Sequence, residues 1–315
     1  PCGPGGSHRG GMEINVTGDA TALAQVWDEA NQSYVSAEFV AVNNSSIHSV
    51  IVTVDGNKTY TTGDGLVYSH LVGVNNGTIS ASTVTVNGGV SLSAAGAAVY
   101  GSVVGINNGT ATASTAVMRG SVSISGGGLS YAGGAVGINR EVADGAKVNF
   151  DGGAMTLTNS NGTLAVLGGA IGLQDSPSLS DVQVSGYNGK LTVSGAGLVG
   201  GVIGVANLSD SATVSGVTAM KTALYNISNA VYGMTLESTD GYKGLISGSL
   251  SDGAVTGVLS GVAAHYPDNI SDYKLPWRTT ATNTLSMYGS GTATALDGIL
   301  FKVSDHSNDG GAEYL

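Results

Sequence analysis

The heptad Val72-Gly73-Val74-Asn75-Asn76-Gly77-Thr78 returns as Val104-Gly105-Ile106-Asn107-Asn108-Gly109-Thr110, 32 residues further on. An earlier copy, Val40-Ala41-Val42-Asn43-Asn44-Ser45-Ser46, lies 32 residues before it. The core continues around Gly137, Gly172 and Gly204 at steps of 32, 35 and 32, with weaker copies centred on Gly233 and Gly261. So regular a period restricts the fold sharply. Each unit has an apolar side that only a neighbouring unit can bury, so the units must stack.

Two further elements keep the same register. One is Val52-Thr53-Val54, then Val84-Thr85-Val86, Ala116-Val117-Met118 and Val148-Asn149-Phe150, with Val182-Gln183-Val184 after a two-residue slip. The other is Val90-Ser91-Leu92, Val122-Ser123-Ile124 and Met155-Thr156-Leu157. All alternate apolar with small or polar residues, the period of a half-buried strand. Gly, Asn, Asp and Ser fill the gaps, as turns require. The pattern predicts an all-β chain: a β-solenoid, a three-sided parallel β-helix with coils of about 32 residues. Three strands per coil and roughly eight coils are expected.

Position 41 is Ala, and its successors Gly73, Gly105, Gly137, Gly172 and Gly204 are all glycine. These are expected to stack in one line where a side chain would collide with neighbouring backbone. The body is expected over 35–265. Residues 1–34 read as an N-terminal tail and cap or assembly segment, with a short helix or capping stretch over 19–34. Residues 266–315 read as a C-terminal cap or assembly segment.

The Gly-Ala-Val-Gly, Gly-Ala-Ile-Gly and Gly-Val-Ile-Gly cores with Asn-Gly-Thr turns resemble GLUG-type repeats. The nearest match is Gly197-Leu198-Val199-Gly200-Gly201-Val202-Ile203-Gly204. The resemblance spans about 35–265. It implies coil architecture and a surface protein or adhesin, with no catalytic residues to carry over.

Charged residues are 10% of the chain, against roughly 25% in ordinary globular domains. Gly, Ser and Thr must therefore cover much of the surface. The net charge is −11 and no Lys/Arg run exists, which argues against nucleic acid as a partner. No apolar stretch reaches membrane-spanning length. The single cysteine, Cys2, cannot form an intrachain disulfide, leaving an inert thiol or an intermolecular bond.

Eleven Asn-X-Ser/Thr sequons begin at Asn15, Asn31, Asn43, Asn44, Asn57, Asn76, Asn108, Asn161, Asn207, Asn226 and Asn269. They read either as glycosylation acceptors or as turn chemistry copied by the repeat, and in both cases as exposed turns. No acid ladder forms: 32 residues after Asp55 stands Asn87, then Arg119. The histidines have no metal-ligand spacing. Thr83-Val84-Thr85 fails to recur, because Val117 follows Thr85, which argues against an ordered-water face.

These features point to a secreted or cell-surface structural protein, a self-assembling filament, surface-layer or adhesin subunit without catalytic activity or cofactor. Its expected partners are head-to-tail copies of itself and cell-surface glycans. A carbohydrate-active parallel β-helix enzyme and an ice-binding protein are the alternatives.

Overall fold

A computed structural model describes residues 11–21, 24–176, 179, 181–187, 189–206, 234–244 and 247–250. Every regular element among them is a strand. The chain winds as a parallel β-solenoid. One coil runs Gly65–Ser69, Val72–Asn75, Thr78–Ser80, Thr83–Val86 and Val90–Ala94. The next coil repeats it in register, with Val72 opposite Val104, Val84 opposite Ala116 and Val90 opposite Val122. Stacking builds sheets of six, three, twelve and seven strands.

The first three coils thus carry five strands and the next two carry four, where three were expected. Gly65–Ser69 is buried at every position, so it shows no alternation, and Thr78–Ser80 is too short to show one. A second difference concerns the 182–184 segment. Val148 faces Val184, not Val182, so that coil is 36 residues long. The corner residue shows why. Ser49, Ala81, Ala113, Gly145 and Asp181 all take a positive φ at the same corner, and the last step absorbs the extra residues before the strand begins. The described residues of 19–34 form no helix. Val26–Asp28 pairs antiparallel with Ser33–Ala37, and Trp27 meets Tyr34 edge-on at 5.0 Å.

The glycine line is real. A Cβ on Gly105 would lie 2.6 Å from the Gly73 carbonyl oxygen, and one on Gly137 2.6 Å from that of Gly105. Gly172 and Gly204 continue it at 2.5 Å from the oxygens of Gly137 and Gly172. Successive coils approach so closely here that only glycine fits.

The interior is graded along the axis. At one rung position Tyr68 and Tyr100 give way to Ala132 and Leu167. At another Val54 and Val86 give way to Met118 and Phe150. A Cβ on Gly134 would stand 3.2 Å from Phe150 Cζ, so the ring fills the room that this glycine leaves. Large and small residues trade places from coil to coil and the core stays filled. No described helix is long and apolar enough to cross a membrane. The C-terminal segment 266–315, Cys2, and the copies at Gly233 and Gly261 lie outside the described residues.

Candidate functional site

The strands Lys58–Thr62, Val90–Ala94, Ser121–Gly126, Ala154–Asn159 and Gly189–Gly200 stack side by side. Their inward residues Tyr60, Leu92, Ile124, Leu157 and Val193 are 0–2% exposed. Strand alternation therefore sends the residues between them outward. Those residues form two ranks: Thr59, Ser91, Ser123, Thr156, Thr192, and Thr61, Ser93, Ser125, Thr158, Ser194. All ten side chains are exposed or half-exposed, and none hydrogen-bonds to another described residue. Rungs lie about 4.8 Å apart and the ranks about 7 Å apart. These ten residues are uncharged; on the next strand, Met234–Gly244, Glu237 stands in register with Thr192.

The sequence pattern put Ser91, Ser123 and Thr156 on one recurring strand but did not reveal the two full ranks. Thr83 and Thr85 lie in another sheet, where the rank is broken by Val117 as expected. The signal of this face is Ser-X-Ser and Thr-X-Thr mixed from coil to coil and carried through steps of 33 and 36 residues.

The repeated Asn-Asn pair divides into two rows. The first Asn of each pair points inward. Asn43 Nδ2 donates to Asn75 Oδ1 (2.7 Å), Asn75 to Asn107 (2.8 Å), Asn107 to Asn139 (2.8 Å) and Asn139 to Gln174 Oε1 (3.0 Å). All five are buried. The second Asn points outward. Asn76 Nδ2 donates to Asn44 Oδ1 (2.9 Å), Asn108 Nδ2 to Asn76 Oδ1 (3.0 Å), and Arg140 closes the row on Asn108 (3.2 Å).

Of the sequon residues, Asn15, Asn44, Asn57, Asn76 and Asn161 are exposed, while Asn31 and Asn108 are partly covered. Asn43 is 5% exposed, which corrects the expectation that every sequon marks an exposed turn. Its alternation in Val40–Asn43 puts it on the inner side, where its amide is the first rung of the ladder. Asn207, Asn226 and Asn269 lie outside the described residues.

Titratable groups gather inside the N-terminal coils. Tyr68 Oη donates to Glu38 at 2.8 Å, and Tyr60 reaches the same oxygen at 3.4 Å. His70, 0% exposed, sits between Tyr68 (3.1 Å from Nδ1) and Tyr100 (3.1 Å from Nε2). With Tyr68 donating to Glu38, the consistent arrangement is Nδ1–H donating to Tyr68 and Tyr100 donating to Nε2. Burial, with a smaller contribution from the Lys58 charge, lowers the His70 pKa from 6.5 to about 3. Burial raises all three tyrosines, Tyr60 and Tyr68 further through the Glu38 charge. Lys58 is 1% exposed and donates to the Gly18 carbonyl at 2.5 Å, tying the N-terminal strap to the first coil.

Asp55 and its successors form no acid pair. Asp55 and Asp151 sit on one outer row, separated by Asn87 and Arg119. Asn87 donates to Asp55 (2.7 Å) and Arg119 pairs with Asp151 (2.9 Å). Among the described residues no three His, Cys, Asp or Glu are placed to hold a metal ion.

Comparison with protein-family models, curated proteins and solved structures finds no match to this chain.

Proposed function

We propose that this chain is a non-catalytic, extracellular structural or adhesive solenoid that makes contact through its hydroxyl face. The carrying observation is the double rank of ten Ser and Thr side chains held in register over five coils. A rigid, uncharged lattice of unpartnered hydroxyls suits neutral, repetitive, hydroxyl-rich surfaces such as cell-surface glycans. It repels neither a glycan nor a second copy of itself. The spread of Asp55 and Asp151 along a row with intervening Asn and Arg supports a surface role over a paired-carboxylate one, which needs about 5–9 Å between acids.

Self-association has support at the N-terminal end. Val40–Asn43 and Ser46–His48 are edge strands with no partner on their outer side among the described residues. Such an edge can take up a strand from another copy. A head-to-tail contact of this kind that does not close gives a filament.

The test is adhesion. Purified chain is expected to bind insoluble polysaccharide, and Ser93→Lys with Thr158→Lys to lose that binding while its circular dichroism is unchanged. Equal binding by both proteins would overturn the reading. Electron microscopy of native material checks the filament: only monomeric particles would remove it. The same in-register ranks favour one further reading, ordering of water at an ice surface. Thermal hysteresis that disappears in the double variant, with no polysaccharide binding, would select it.

A further inference from the structure

The sequons differ in what their amide nitrogens already do. Asn43 Nδ2 is buried and donates to Ser45 O (3.1 Å), Asn75 Oδ1 (2.7 Å) and Thr78 O (3.5 Å). Asn76 and Asn108 donate within the outer row. Their rungs stand about 4.8 Å apart, less than the breadth of a sugar, so a glycan on one would stand over the next amide. Asn31 Nδ2 is tied to Asp28 at 2.7 Å.

Four others are open. Asn161 lies in the turn between Ala154–Asn159 and Ala165–Gly168, where residues 160–164 are all exposed. The equivalent turn one coil earlier, 127–129, is two residues shorter. Asn161 therefore stands on an insertion, held by its own backbone N–H on Asn159 Oδ1 (2.9 Å); its Nδ2 lies over Gly127 of the preceding coil and makes no hydrogen bond among the described residues. Asn57 accepts the Gly89 N–H (2.9 Å) on Oδ1 and leaves Nδ2 free, and its neighbour in the next coil, Gly89, has no side chain to crowd a sugar. Asn44 ends the outer row: its Oδ1 accepts from Asn76 and its Nδ2 has no acceptor. Asn15 is exposed on the edge strand Met12–Val16.

We propose that Asn161, Asn57, Asn15 and Asn44 are N-glycan attachment sites, and that the amide rows keep Asn43, Asn76 and Asn108 bare. The donor is a polyprenyl-pyrophosphate-linked oligosaccharide. Asn Nδ2 bonds to the anomeric carbon, the bond from that carbon to the pyrophosphate oxygen breaks, the pyrophosphate leaves with the electron pair, and the amide gives up one proton. Sugars on these four sites project from turns and an edge strand; Asn57, two residues before Thr59, and Asn161, three after Thr158, stand at the borders of the hydroxyl face. The assignment deepens the extracellular reading above and rests on it.

The full chain is secreted from a eukaryotic cell line behind a heterologous signal peptide. Its peptides are then deglycosylated in heavy-oxygen water with and without the enzyme, so each formerly modified Asn is read as labelled Asp in excess of the enzyme-free sample, which corrects for spontaneous deamidation at Asn76-Gly77, Asn108-Gly109 and Asn161-Gly162. Label is expected at Asn161, Asn57, Asn15 and Asn44 and absent from Asn43, Asn76 and Asn108. Asn161→Gln should remove one glycan's mass without loss of secretion. Label at Asn76 or Asn108 equal to that at Asn161 overturns the assignment, as does a secreted, β-rich chain bare at Asn161. The heterologous signal delivers the chain to the modifying enzyme whatever its native location. Bare sequons would thus sink the assignment alone, and the adhesion assay decides the broader reading.

Discussion

Asn75 donates its Nδ2 to Asn107 Oδ1 at 2.8 Å, across two coils and 32 residues of chain, with both amides fully buried. The same nitrogen also reaches Gly77 O (3.2 Å) and Thr110 O (3.1 Å), so one side chain closes its own turn and locks the next. A buried amide satisfied in this way fixes register. A slip of the stack would strand both polar groups in an apolar core.

Asn107→Leu is accordingly expected to destabilise strongly. It takes away the donor of Asn139 Oδ1, Gly109 O and Val142 O and removes one of the three acceptors of Asn75 Nδ2, at about 1–3 kcal/mol per buried group left unsatisfied. Asn108→Ala, on the exposed row, should stay within about 0.5 kcal/mol. Urea unfolding of the two variants checks the contrast. Equal midpoints would mean the buried row does not hold the stack.

Gly137→Val should prevent native stacking. Its Cβ would lie 2.6 Å from Gly105 O and 2.7 Å from Val99 Cγ1, and neither neighbour can withdraw without moving its own coil. The exposed Asn87→Ser gives up only its contacts with Asp55 and Arg119, worth about 0–1 kcal/mol. Thermal melts by circular dichroism should show a disrupted or poorly cooperative Gly137→Val protein beside a nearly unchanged Asn87→Ser.

Acid should weaken the N-terminal coils through His70. Its folded pKa of about 3 lies below the ordinary 6.5, so the unfolded chain binds this proton more readily. Stability from this group is complete above about pH 6.5 and is lost as the pH falls towards 3, at up to about 1.4 kcal/mol per pH unit. The facing groups are Tyr68 and Tyr100, with Glu38 beyond Tyr68 and the Lys58 charge nearby. His70→Gln can keep both hydrogen bonds without titrating. Its urea midpoint should fall less steeply than that of the parent chain between pH 6.5 and 4. Identical slopes would rule His70 out.

The Arg119–Asp151 pair should matter little. Its side chains are 51% and 48% exposed, and Arg119→Ala is expected to shift stability by no more than about 1 kcal/mol, less in high salt. Melting temperatures at low and high salt provide the check.

Much of this could be read before any coordinates. The glycine line was legible because a missing Cβ at a constant spacing has one simple cause, backbone approaching backbone. The strands at 52–54, 84–86 and 116–118 were legible because one face is wet and one dry. Gly65–Ser69 was not, since burial on both faces erases the alternation. Of the hydroxyl ranks only Ser91, Ser123 and Thr156 were legible, because Ser and Thr substitute for one another along the ranks and turns of different length separate the rungs.

The sequence by itself determined that units of about 32 residues stack in parallel around an apolar interior, because period-two alternation repeated at fixed spacing leaves each unit incomplete without its neighbours. Only the tertiary structure decided which of two adjacent asparagines is a buried rung and which an exposed one. It also decided which hydroxyls share a rank after an insertion, and that a histidine sits dry between two tyrosines. The physical reason is common to all three. Facing in or out changes with each residue along a strand, so the place where a turn absorbs an extra residue decides which side chain meets which rung after it. Where a turn returns the chain to its coil is settled by contacts with the coils on either side.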